Sequence, residues 1–417
     1  MTDQLDEMED VESFRLRARA WLKENMPKLE DKPPLRIGED DDVEWLRARE
    51  LQKMLYAGGF AGICFPKEYG GLGLTPAHQR AFNEESEGYE MPLLLNIPTF
   101  SICAPTILDM GSEQQKRERI SAAIRGDEVL VQFLSEPRGG SDLAGVITRA
   151  TRDGDMWVIN GAKTWSTSAY AADYGLLLAR TDWDAPKHRG LTMFLVKVNQ
   201  PGVTLRRIKM VNGSTEFCEE FFDNVMVPAD AVVGEVNNGW AVASRQLFYE
   251  RTAVGGGSPY VSGVGRPNLV TSNFDLVDLV RKTGTAEDPR VRELLGEAVA
   301  HQRVQDQLID RVTGGITRGH LPDSASSIIR LFHAETDWKN ADVGLQIAGS
   351  AAVTGVVGED GPLRYGESYL TRQSTSLGGG STEMARNIIS ERVLGMPREF
   401  AADRDVPFSQ VPQGRTS

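Results

Sequence analysis

The sequence predicts a mainly helical α+β protein in three parts: an N-terminal helical domain over 1–127, a small middle β-barrel domain over 128–237, and a C-terminal four-helix bundle over 238–397. A polar, proline-containing tail over 398–417 is expected to be loosely ordered. Three observations predict this. At 417 residues the chain is longer than one small core requires. Apolar residues recur at helical spacing before about residue 127 and again after about 237. Between them lie short runs rich in Val, Leu, Phe, Trp and Thr, broken by Asp-Gly and Asn-Gly pairs.

The first helix is read in "VESFRLRARAWLKENM", where Val11, Phe14, Leu16, Ala18 and Leu22 keep partial helical spacing among charges. "DDVEWLRARELQKMLYAGG" repeats the pattern and stops at Gly58-Gly59. "PKEYGGLGLT" is loop chemistry, with Pro66, Gly70, Gly71 and Gly73, and a helix follows from Pro76 towards Glu87 with Gly88 as its stop. From "EVLVQFLSE" to "CEEFFDNVMVP" the runs are strand-like, and "DGD" at 153–155 and "NG" at 160–161 read as hairpin turns. The number of short strands in so short a stretch suggests a small barrel or sandwich. After "GEVNNGW" the helical period returns in "GWAVASRQLFYERTAVGGG", "RVRELLGEAVAHQRVQDQLIDRVTGG", "SSIIRLFHAETDWKNADVGLQIAG" and "STEMARNIISERVLG".

Composition narrows the function. Hydrophobic content of 40% with 25% charged residues is that of a soluble globular protein. A net charge of -13 argues against nucleic acid or an anionic membrane as the main partner. Cys64, Cys103 and Cys218 are too few and too scattered for a disulfide framework or a zinc site, so reduced thiols in a cytoplasmic protein are expected. No apolar run is read as long enough to span a bilayer. The start "MTDQLDEMEDVESF" is acidic and lacks the apolar core of a secretory signal.

"SLGGGSTEMARN" (376–387) sets three glycines before a helix start, a place where backbone comes close to a ligand and free N–H groups await an electron-rich one. "QFLSEPRGGSDLAG" (132–145) and "INGAKTWSTSA" (159–169) resemble the two signature segments of the acyl-CoA dehydrogenase family. "GFAGICFPKEYGGLGL" (59–74), "GEVNNGWAVASRQLFYER" (234–251) and "GGGSTEMARNIISERVLGMPRE" (378–399) resemble three further landmarks of that family in the same order. The likeness runs from about residue 8 to 399. It implies the acyl-CoA dehydrogenase-like fold, bound FAD, and desaturation of acyl-CoA thioesters at Cα–Cβ in lipid or fatty-acid β-oxidation. It also implies a tetramer that passes electrons to an electron-transfer flavoprotein.

The resemblance assigns roles by position. Gln132, Leu134 and Ser135 match the first flavin-contacting segment, and Gly140 and Ser141 the stretch touching FAD phosphate and the thioester side. Trp165 packs on the flavin ring and Thr167 bonds its rim; two apart on a strand, they are expected on one side. Ser381, Thr382 and Glu383 match FAD contacts at the helix start. Taken alone, Trp165 would be an ordinary barrel-core aromatic, Leu134 plain core and Glu250 a solvated helix glutamate.

In the medium-chain branch of the family the catalytic carboxylate stands where this chain has Gly379, and glycine cannot take a proton. The isovaleryl and long-chain branches, which this chain resembles here, take their base from the helix that carries "LFYERTAV", which makes Glu250 the base. Gly379, with Gly380 beside it on the substrate side, would lend a backbone N–H to the thioester carbonyl. Glu250 would take the α-proton, its pKa raised in a dry pocket, while hydride leaves to flavin N5. Arg251 either orients the glutamate or meets CoA phosphate, and is expected to point partly away from it. The glycines of "AVGGGSPY" would suit a wide or branched acyl group, or simply relax a helix end.

One departure concerns assembly. The family's cross-subunit FAD residues, Arg-x-x-Phe-Gly and a downstream glutamine, are not evident in "DLVRKTGTAEDPRVRELLGEA", although Gln346 and Gly349 are kept in "LQIAGSAAV". The resemblance implies a homotetramer, whereas the missing residues fit an α2β2 assembly with a related chain. A flavin-bearing subunit, an oxidase and a non-catalytic scaffold of the same fold stand as rival readings.

Overall fold

The computed structural model describes residues 8–31, 41–254, 256–264, 276–354 and 365–412. Its first part is helical. α1 (Val11–Asn25) starts at Asp10, whose carboxylate accepts from the N–H groups of Glu12 and Ser13, and buries Phe14, Ala18 and Leu22. α2 (Asp41–Ala57) ends at Gly58-Gly59; Gly59 is left-handed, and a Cβ on Gly58 would fall 2.2 Å from the Trp21 ring. α3 (Pro76–Glu85) is capped by Thr75 and His78. A wide-turned segment, Asn96–Cys103, then leads into α4 (Ala104–Met110), followed by the short α5 (Glu113–Gln115) and α6 (Ser121–Arg125). The sequence reading that no apolar run reaches spanning length is corrected here. Leu93–Met110 offers 18 residues of mean hydropathy 1.4, and 61% of that stretch is buried inside the fold.

The middle part is one eight-stranded sheet. Its strands are β1 (Leu130–Phe133), β2 (Arg149–Asp153), β3 (Met156–Thr167), β4 (Tyr174–Arg180), β5 (Leu191–Lys197), β6 (Val203–Ile208), β7 (Phe217–Pro228) and β8 (Val232–Val233). They run in the order β6-β7-β3-β2-β4-β5-β8, with β1 parallel to β4. Asp153-Gly154 joins β2 to β3 as a tight turn. Asn160-Gly161 is not a hairpin turn. β3 runs straight through it against β7 with a register shift, and a Cβ on Gly161 would sit 2.7 Å from the Thr148 Cα. Asn160 accepts from the Asn224 N–H at 2.9 Å across the bulge, so the left-handed signal of the pair is spent on a kink.

The C-terminal part contains α7 (Gly239–Val254), α8 (Leu276–Thr283), α9 (Pro289–Thr317), α10 (Ser326–Ala348), α11 (Ser350–Thr354), α12 (Tyr365–Thr371) and α13 (Thr382–Ile388). α10 is its centre and packs against α7, α8, α9, α12 and α13. Its central place buries polar side chains along with apolar ones, among them Arg330, His333, Thr336, Asp337 and Asn340.

The tail differs from the expectation of loose order in its described part. Phe408 is 2% exposed, and its ring covers the buried Arg180 guanidinium at 3.5 Å. The N–H groups of Phe408 and Ser409 donate to the carbonyls of Ala185 and Trp183, so the chain end is strapped onto the sheet domain.

Candidate active site

α7 carries the site's carboxylate, and its roll is fixed locally. Gly239 opens the helix where any Cβ would meet the Thr192 backbone at 2.6 Å, so helix and sheet touch there. Further along, the Tyr249 hydroxyl donates to Asp109 at 2.7 Å and Arg245 pairs with the same carboxylate. One residue on, a rotation of about 100° turns Glu250 away from that contact. Glu250 keeps intermediate accessibility and is otherwise surrounded by protein. Gln132 of β1 donates to its Oε2 at 3.1 Å. Burial pushes the Glu250 carboxyl up from its ordinary value, while the Gln132 bond, the Arg251 and Arg330 charges and the Gly379 N–H pull it back. Cys103, fully buried on the segment packed against α7, feels the same carboxylate.

Arg251 makes no ion pair with Glu250 among the described residues. Its Nε is buried without a partner, and its charge lies among Glu250, Arg392 and Asp323. The glycine turn closes the pocket from the other side. Gly379 (φ +75°) and Gly380 (φ +91°) are both left-handed, and a Cβ on Gly379 would lie 3.1 Å from the Arg330 Nε. Arg330 itself is 1% exposed on α10. Its Nε donates to the Gly378 carbonyl at 3.0 Å, and its Nη2 donates to the carbonyls of Gly378 and Thr375.

On the sheet side, Trp165 is 55% exposed and left-handed (φ +65°), with its ring edge-on to Phe217. β3 is irregular at Trp165. The register shifts between Thr164 and Ser166, both buried, so a bulge rather than the pleat throws Trp165 outward. Its exposure also removes the barrel-core reading. Thr167 lines a cleft of about 290 Å³ with Trp45, Ile97, Ser168 and Glu216. Leu134 is 8% exposed and packed in the core, so only its backbone faces outward tasks. Its carbonyl accepts from the buried Lys163 Nζ at 2.9 Å, and Lys163 also pairs with Glu136 at 3.0 Å. Thr164 donates from its N–H to the Ser135 carbonyl at 3.0 Å, so the two signature segments are stapled together.

Gly140 and Ser141 lie exposed in the loop after β1, with Ser135 beneath Gly140. That loop is held from behind by Arg180, which donates to the carbonyls of Ala144 and Val146. Ser381 caps α13 by accepting from the Met384 N–H at 3.2 Å, and Thr382 bonds the exposed Glu383. Gln346 and Gly349 are exposed at the far end of α10. Sixteen residues separate Gln346 from Arg330, roughly 24 Å along a helix, so these two do not serve the pocket of Glu250. Of the "AVGGGSPY" stretch, Gly255 lies outside the described residues; Gly256 is left-handed and ends α7.

Sequence reasoning missed Arg330, Lys163 and Arg180. A signal existed for Arg330: it stands in the apolar run "SSIIRLF", one residue after the buried Ile329. A charge at a core-facing helix position demands a partner.

Three family models match the chain in order: "Acyl-CoA dehydrogenase, N-terminal domain" over 8–127, "Acyl-CoA dehydrogenase, middle domain" over 132–225 and "Acyl-CoA dehydrogenase, C-terminal domain" over 237–394. Acyl-CoA dehydrogenase IpdE1 of Mycobacterium tuberculosis is 34% identical over 400 residues, covering 94% of this chain and 99% of the relative. Its namesake in Mycolicibacterium smegmatis is 33% identical over 408 residues, covering 94% of this chain and 99% of the relative. A solved structure described as "Tcur3481-Tcur3483 steroid ACAD" superposes with a TM-score of 0.75 at 28% identity, covering 94% of this chain and 100% of that one.

Proposed function

This chain belongs to the acyl-CoA dehydrogenase family, and we propose that it dehydrogenates an acyl-CoA thioester to the trans-2-enoyl-CoA with Glu250 as the base. The observation that carries this reading is a half-buried carboxylate, hydrogen-bonded by Gln132 and facing a left-handed glycine turn.

The residues fit the family's cofactor. Trp165 holds its indole outward from a left-handed backbone, which suits a flat aromatic ring, and Arg251 and Arg330 each bury a donor nitrogen with no acceptor among the described residues, which suits an electron-rich ligand. Trp165, Thr167, Ser135, Gly140 and Ser141 would hold FAD from the sheet side, with the backbones of Gln132 and Leu134, and Ser381, Thr382 and Glu383 from the C-terminal part. FAD supplies the two-electron acceptor when bound. Glu250 removes the α-proton, and its raised pKa makes it a stronger base than a solvated glutamate. Gly379, with Gly380, leaves the thioester side free of side chains and offers an N–H that favours negative charge. Arg251, unpaired with Glu250, is available to the CoA side of the ligand.

Three finer points belong to the same reading. The acyl group is bulky and ring-bearing. Support comes from a relative described as a steroid enzyme and from glycines rather than large side chains after α7. Electrons pass to an electron-transfer flavoprotein. The assembly is two-fold symmetric and includes a related but unlike chain: Gln346 and Gly349 lie at the end of α10 away from Glu250, and the usual cross-subunit residues are not evident in 278–298.

The deciding experiment is Glu250→Gln. It is expected to retain yellow colour and acyl-CoA binding while flavin reduction slows by at least ~10²-fold. Reduction at the parent rate removes the assignment. Protein that takes up no FAD, alone or with a related chain, removes the whole reading.

A further inference from the structure

We propose that Arg330 is a positioning residue for this site: it grips the carbonyls of the glycine turn so that Gly379 stays aimed at Glu250, and it supplies a permanent positive charge behind that carboxylate. The inference rests on the reading of Glu250 as base. The grip is a two-armed one. Nε and Nη2 reach the Gly378 carbonyl, and Nη2 also reaches that of Thr375. Such a fork holds a backbone turn in one orientation, which an ammonium on a flexible stem does not. The turn leaves no slack on that side, since a Cβ at Gly379 would lie 3.1 Å from the same Nε. Arg330 Nη1 has no partner among the described residues, although the side chain is 1% exposed. The bonds to the Gly378 and Thr375 carbonyls offset part of the cost of burying it.

The charged and titratable surroundings are few. Glu250 is faced by Gln132 from β1, by Cys103 from the segment before α4, by Arg251 from its own helix, by Arg330 from α10 and by Gly379 from the turn. Arg330 is faced by Glu250, and by Asp337 and His333 on α10. Burial and the Arg330 charge push His333 down to about 4, so it carries no charge near neutrality. Burial pushes Asp337 up to about 7, so near neutrality it offsets Arg330 only in part. The Arg330 charge therefore acts on Glu250 in the direction that favours its ionised, proton-accepting form.

The test compares Arg330→Met and Arg330→Lys with the parent. The Glu250 titration is read by infrared difference spectra against Glu250→Gln in each background, a readout that needs neither cofactor nor substrate. Arg330→Met is expected to move the Glu250 midpoint to higher pH and to slow turnover about 10- to 100-fold, the scale of a misplaced catalytic geometry. Arg330→Lys is expected to restore the midpoint, because the charge returns, while turnover stays low, because the fork does not. A folded Arg330→Met with an unmoved midpoint overturns the proposal. If Arg330→Met does not fold, Arg330→Lys decides: turnover at the parent level overturns the proposal, and a parent-like midpoint with slow turnover supports it. Failure of the base reading would look different, as full activity of Glu250→Gln itself.

Discussion

The Gln132 amide of β1 donates to the Glu250 carboxylate of α7 at 3.1 Å, joining the sheet domain to the helical bundle at the carboxylate proposed as the base. The bond stabilises the ionised form. Gln132→Leu therefore raises the Glu250 pKa, and the acid limb of the pH–rate profile moves to higher pH. Turnover near neutrality falls on the order of tenfold, the scale of one hydrogen bond to a charged group. An unmoved limb in a stable variant would show that the bond is incidental to catalysis.

At the glycine turn, a side chain is excluded by backbone and by space. Gly379→Ala places a Cβ in the left-handed region and against Arg330, at a cost of about 1–2 kcal/mol. Gly379→Glu adds a second carboxylate beside Glu250 and does not improve activity. Chemical denaturation and turnover of both variants check this; an Ala variant as stable and as fast as the parent counts against the packing argument.

Much of this was legible in the chain. Phe14, Ala18 and Leu22 give α1 because helical spacing is a local property, and the family segments mark the pocket walls. What failed depended on distant partners. Asn160-Gly161 carries the same left-handed preference whether it makes a turn or a bulge, and Asn224 of β7 decides which. Arg330 looks like a surface charge until the carbonyls of Thr375 and Gly378 arrive from another segment. Phe408 is a lone aromatic in a polar tail, and the guanidinium it covers lies more than two hundred residues earlier in sequence.

That tail contact gives a third prediction. Phe408→Ala removes a buried ring, worth about 3 kcal/mol, from a segment that is also held by a few backbone bonds, the Ser409–Asp184 hydrogen bond and the Lys187–Asp403 pair. Limited proteolysis should then cut within 399–412 on the order of a hundred times faster, while global unfolding changes less. Equal cleavage rates would mean that the strap does not depend on Phe408.

The last prediction concerns Glu220, in register with Lys163 across β7 and β3 and fully buried. Its Oε2 accepts from the Ser166 hydroxyl at 3.0 Å, and its Oε1 has no partner. Burial pushes its carboxyl up to about 8, and the Ser166 bond and the Lys163 charge offset only part of that. Lys163 does little more because it is engaged with Glu136. A folded pKa above the unfolded one means that the native state holds a proton the unfolded state releases. The stabilising proton is fully present below the ordinary carboxylate value and is lost as pH rises through about 8. Glu220→Gln mimics the protonated form, keeps an acceptor for Ser166 and removes the titration. Urea unfolding should show the parent losing stability relative to the variant as pH rises, the gap reaching roughly 2–5 kcal/mol and levelling off above pH 8. Parallel stability curves across that range would mean that Glu220 is ionised in the folded protein at neutral pH, and that Lys163 is shared between the two carboxylates.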